Sequence, residues 1–189
     1  ITLANGNWNN IYLSINKTAN AANPIKIVAQ TPGQVFFQGN SRVSLGGSYI
    51  IFEGVVFNTP SNLVDNGSTL EPVIEFRSSN NNPCTNCIVR NVKIDSYNGT
   101  TAQLQDVYKW IILYGQYNEV SYSSFTGKYG VGSIINDNRD VVQVNYNKIH
   151  HNYFANRTFV GSYPDEYNDQ DAIRIGNSSS SLSNSYTEV

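Results

Sequence analysis

Charge is scarce in this chain. Of 189 residues only 14% are Asp, Glu, Lys or Arg, with 12 cations against 14 anions and a formal net charge of −2. That balance offers none of the clustered Lys and Arg with which proteins neutralise nucleic-acid phosphates, so no nucleic-acid partner is expected. A polyanionic sugar would have to be gripped locally. No apolar run approaches the length that spans a bilayer, and no charged-then-apolar leader opens the chain, so no membrane segment is expected either. Methionine is absent and the first residue is Ile1. The last residues, Ser185 to Val189, read as a strand just beginning, and the chain is therefore expected to be a portion of something longer.

Histidine and cysteine occur only twice each. A four-ligand zinc site needs a second cysteine pair or suitably spaced histidines, and His150 and His151 are far from Cys84 and Cys87 in sequence. The pair is expected to form a local loop disulfide or to remain two thiols. Its Asn-rich surroundings do not resemble the strand-then-helix setting of a redox motif.

What is abundant is strand material. Helical periodicity is nearly missing, and short runs rich in Val, Ile, Tyr and Phe recur between Asn, Gly, Ser and Pro. They cover Ile11 to Ile15, Ile25 to Ala29, Val35 to Gln38, Tyr49 to Phe57, Val73 to Phe76, Cys87 to Ile94, Lys109 to Tyr114, Val120 to Phe125, Ser133 to Ile135, Val141 to Phe154 and Ala172 to Ile175. Several are copies of one another. Superposing YIIFEGVVF (Tyr49 to Phe57), NCIVRNVKI (Asn86 to Ile94), YNEVSYSSF (Tyr117 to Phe125) and NKIHHNYF (Asn147 to Phe154) aligns Phe57, Ile94, Phe125 and Phe154. Five residues earlier it aligns Phe52, Val89, Val120 and Ile149. The SYTEV segment would start a fifth copy. Such irregularly spaced copies fit the coils of one parallel β-helix domain over residues 1–189, with inward Asn and Ser pairing along the stack. An antiparallel sandwich is the alternative that many short strands also allow.

The stretch from Asn145 to Gly176 carries the candidate chemistry. Two strands enclose a loop holding Asp165, Glu166, Asn168, Asp169 and Asp171, hard oxygen donors that suit calcium better than a transition metal, although the spacing is not that of an EF-hand and by itself favours a solvated loop. His150 and His151, adjacent on an expected strand, should point to opposite faces. In AIRIG, alternation places Ala172, Arg174 and Gly176 outward and Ile173 and Ile175 inward, making Arg174 a candidate anion contact. Lys128, ending a strand before a Gly-rich turn, should reach that same face or be solvated. The 13 tyrosines could stack on sugar rings, though Tyr is also a favoured strand residue.

Four segments, Asn23 to Phe57, SSFTGK (Ser123 to Lys128), IHHNYFANR (Ile149 to Arg157) and above all DAIRIGNSSSSLSNSYTEV (Asp171 to Val189), resemble polysaccharide lyase family six, the alginate lyases and chondroitinase B. The resemblance implies a right-handed parallel β-helix and an enzyme, bacterial and secreted or periplasmic, that cleaves a uronate polymer by β-elimination. In that chemistry calcium neutralises the sugar carboxylate, a Lys removes the acidified proton and an Arg assists the leaving oxygen. By the same resemblance Asn168, preceding the IRIG segment, corresponds to a metal-binding Asn and Arg139 to a substrate-contacting Arg. Arg174, His151 and Lys128 fall in family-typical segments and take substrate-groove or support roles. Lys128 does not match the motif of the family's base. By the resemblance the calcium-binding acids and the catalytic Lys and Arg belong to coils after Tyr186, so the chain is expected to supply the N-terminal coils and part of the groove, the remaining coils lying on a second chain or missing altogether. Alginate is expected over dermatan sulfate because cations are few. The alternative reading is a β-helix that binds polysaccharide without turning it over.

Overall fold

In the computed structural model the chain is described over residues 1–61, 63, 72–99, 109–129, 132–136, 144–156, 171–176 and 184–189. The strands fall into three principal sheets that the chain visits in rotation. The first holds Thr2–Leu3, Ile25–Ala29, Ile50–Glu53, Ile88–Arg90, Glu119–Ser121 and Lys148–His150. The second holds Gly6–Asn9, Val35–Gly39, Val55–Pro60, Lys93–Asp95, Ser124–Thr126 and Tyr153–Ala155. The third runs through Tyr12–Thr18, Arg42–Ser48, Ile74–Glu75, Ile111–Leu113, Ile134–Asn136 and Ile173–Ile175. Neighbours along each of these stacks pair in parallel, and this is a parallel β-helix. Among the described strands one antiparallel pair, Arg77–Ser79 with Asn82–Thr85, interrupts the rule.

The register explains why the repeats were visible. In the first sheet Ile27, Phe52, Val89, Val120 and Ile149 stand on one another. In the second Trp8, Phe37, Phe57, Ile94, Phe125 and Phe154 do the same. Leu13, Val43, Ile74, Ile111, Ile134 and Ile173 form the third column. All three columns belong to one apolar cluster. Parallel stacking, with rungs about 4.8 Å apart, rewards the same residue class at each level because a column of unlike size would leave voids. The SYTEV segment does begin a further level: Glu188 bridges Lys148, and the Tyr186 ring stacks on Tyr146 at 4.8 Å and 2°.

The long expected strands are broken at corners that propensity does not foresee. Between the first and second sheets Gly54, Asn91, Tyr122 and His151 have left-handed φ of 84°, 52°, 50° and 54°. Between the third and first sheets the same conformation recurs at Tyr49, Asn86, Tyr117 and Tyr146. Bulky side chains rarely adopt it, and the molecule compensates by cooperation between levels. Tyr117 and Tyr146 lie ring on ring at 4.9 Å and 5°. Beneath them Asn118 and Asn147 turn inward and are fully buried. Asn118 accepts from the Cys87 amide and donates to the Cys84 and Tyr114 carbonyls, while Asn147 accepts from the Asn118 amide and donates to the Gly115 carbonyl.

Cys84 and Cys87 form a disulfide across this corner, wholly buried, so the thiol alternative falls away. The bond closes only a short loop, with a sequence separation of 3. Replacing both cysteines with Ala should therefore lower the unfolding free energy by only about 1–2 kcal/mol, measured as a shift in urea midpoint. A loss twice as large would mean that the bond holds more than the corner.

Candidate functional site

The outward face of the third sheet presents one row along the solenoid axis: Ser44, Glu75, Ile112, Ile135 and Arg174. At its near end Ser44 donates to Glu75 at 3.2 Å. The Arg77 guanidinium meets the other oxygen of Glu75 at 3.2 Å and lies 3.8 Å over the Tyr114 ring. Ile112, Tyr114 and Ile135 are each 2% exposed although they face away from the core column. Arg174 closes the row, half-buried and facing outward as alternation requires, with Ile173 packed on the core. It stands three levels, about 14 Å, from Glu75. A planar guanidinium on a sheet face is suited to meeting a carboxylate.

The other expected residues do not gather there. Lys128 is a correction, for it is neither on that face nor solvated. It is 2% exposed and turns inward at the corner between the second and third sheets, just after Gly127, whose left-handed φ of 71° redirects the chain. Its ammonium donates to the Tyr129 carbonyl and lies 5.5 Å from the Trp110 ring centroid. It also lines a cavity of about 160 Å³ with Ser133, Phe154, Ala155, Asn156 and Ala172. The neighbouring Tyr97 is fully buried; its phenol donates to the Gly39 carbonyl, and burial pushes its pKa up to about 12. It is a structural group.

His151 is also corrected. It is not in a strand; it is the corner residue after Lys148–His150, with φ of 54°. The turn brings both imidazoles to the outside, where their Nδ1 atoms are 2.7 Å apart. They sit on the corner between the first and second sheets, away from the row that ends in Arg174. Asn168 and Arg139, with Asp165, Glu166 and Asp169, lie outside the described residues. Asp171 is described and exposed. Among the described residues no group of three or more His, Cys, Asp or Glu converges on a point.

Sequence reasoning overlooked Arg77, Glu75 and Tyr114. The strand Arg42–Ser48 that supports them is rich in Ser and Gly and was not recognised. A second hollow, about 470 Å³, lies on the outer face of the second sheet against Phe36, Val56, Lys93, Asp95, Tyr122 and Ser124. There Lys93 holds the Asp95 carboxyl below its usual range through a 2.8 Å contact.

The chondroitinase B family model matches residues 1–189. The chain belongs to that family, polysaccharide lyase family six. A solved alginate lyase of the family, AlyGC, is 30% identical with a TM-score of 0.84 over 98% of this chain, which spans 24% of that enzyme. A family-six lyase from Pseudopedobacter saltans is 25% identical, with a TM-score of 0.72 over 93% of this chain and 36% of its own length. A mannuronic-acid-specific family-six lyase from human gut microbiota shares the fold, with a TM-score of 0.81 at 22% identity over 99% of this chain and 41% of its own. No curated protein sequence matches. The lyase family's solved members are enzymes, and the chain covers well under half of each of these relatives.

Proposed function

We propose that this chain is part of a calcium-dependent alginate lyase that cleaves a uronate polymer by β-elimination, and that it contributes N-terminal coils and one stretch of the substrate groove. The observation that carries the reading is the family match over the whole chain, together with a solenoid that superposes on an alginate lyase at 30% identity. On this reading the outward row of the third sheet is groove wall. Arg174 contacts or supports a sugar carboxylate, and Arg139 contacts substrate. Asn168 supplies one calcium ligand, beside acids contributed by coils that complete the solenoid, on the same polypeptide or on a second chain. Bound calcium would neutralise the uronate carboxylate and so acidify the neighbouring carbon-bound proton. The buried disulfide suits an oxidising compartment, in keeping with a secreted or periplasmic bacterial protein.

The test is the absorbance of the unsaturated product when the full-length protein meets alginate. Turnover should stop with a calcium chelator and return with added calcium; absence of product from the full-length protein would sink the proposal. Dermatan sulfate in parallel decides whether the chondroitinase B name of the family model extends to substrate. The second reading is a β-helix that binds alginate without turnover. It predicts retention on alginate with no product.

A further inference from the structure

The chain has just two histidines, and they touch. We propose that His150 and His151 form a binding site for a divalent transition ion of the imidazole-preferring class, independent of the lyase reading and of calcium. The two Nδ1 atoms converge at 2.7 Å, so one of them holds a hydrogen and the other is a bare acceptor. Glu119 Oε1 lies 3.5 Å from His150 Nε2 and is itself fixed by the Ser121 hydroxyl at 2.5 Å. A carboxylate behind the far nitrogen is the arrangement that turns the near nitrogen's lone pair toward a metal.

Both rings are held in place. Tyr122 stacks on His151 at 4.9 Å and meets His150 edge-on at 5.9 Å. The left-handed backbone at His151 brings the second ring round to the side of the first. Two imidazole nitrogens bound to one tetrahedral ion at about 2.0–2.1 Å stand roughly 3.3 Å apart, so a small splay of the rings admits it. The hydrogen between them moves to His151 Nε2, and no net proton is lost. No third His, Cys, Asp or Glu converges among the described residues, so water completes the shell and the corner stays open to solvent. Imidazole ligands favour Cu²⁺, Ni²⁺ and Zn²⁺ over hard ions, with Cu²⁺ tightest.

The experiment is a titration of the untagged chain with Cu²⁺, followed by calorimetry and by broadening of the imidazole proton signals. One ion per chain, micromolar affinity, simultaneous broadening of both imidazoles and no displacement by excess Ca²⁺ are expected. His151→Asn, chosen because Asn tolerates left-handed φ, should weaken binding at least tenfold with an unchanged circular dichroism spectrum. Glu119→Gln should weaken it about tenfold at unchanged stoichiometry. Binding that survives in the His150→Gln, His151→Asn double variant, broadening of one imidazole alone, or no saturable binding below millimolar Cu²⁺ would overturn the assignment.

Discussion

Replacing Asn118 with Leu is expected to destabilise the solenoid by about 3–5 kcal/mol, although Leu is similar in size and more apolar. The side chain is fully buried and satisfies three backbone groups from two levels: the Cys87 amide and the Cys84 and Tyr114 carbonyls. Leu removes the partner and leaves those groups dry, each at roughly 1–3 kcal/mol, and the gain from extra apolar burial is smaller. The Asn118 amide keeps its bond to Asn147, so the loss stops short of uncoupling the next level. Urea unfolding measures the effect. A change below about 1 kcal/mol would show that the corner is held by its stacked rings and not by its asparagines.

A similar loss, about 3–5 kcal/mol, is expected for Phe57→Ala. This ring is wholly buried in the middle of the second-sheet column. It meets Phe37 edge-on at 5.4 Å and Tyr97 at 5.7 Å, so truncation leaves a cavity walled by rings that a rigid, hydrogen-bonded stack cannot close. Tyr97 is immobile because its hydroxyl accepts from the Ser41 amide while donating to Gly39. Phe57→Leu, which keeps most of the volume, should cost under about 1.5 kcal/mol. Equal losses for Ala and Leu would mean that the aromatic contacts, and not the filled volume, carry the stability.

The architecture was legible because a parallel stack repeats itself. Phe52, Val89, Val120 and Ile149 could be aligned by eye, and the sheets pair them residue for residue. The corners were less legible. Tyr122, Tyr146 and His151 hold a conformation usually left to Gly or Asn, and what permits it, a like ring on the level above or below, is not a local property. That is why one strand was expected through His150 and His151 and two outward-facing imidazoles were found. Lys128 misled for a related reason. A Lys beside a Gly-rich turn reads as surface, yet Gly127 turns it inward, where the Ser96 side chain would stand 2.3 Å from an added Cβ. The site could be read only in part because its donors are separated by whole coils and their loops follow no period.

One regularity bears on how such proteins diversify. In the later coils the link from the first sheet to the second is always two residues, as between Arg90 and Lys93, Ser121 and Ser124, and His150 and Tyr153. The link from the second sheet to the third ranges from the short passage between Thr126 and Ile134 to the long one between Ala155 and Ile173. In these coils one edge therefore keeps the levels in phase while the other accepts insertions. A lineage built this way can lengthen or exchange those segments without shifting any rung of the core, so the surface they form can drift while the scaffold stays superposable.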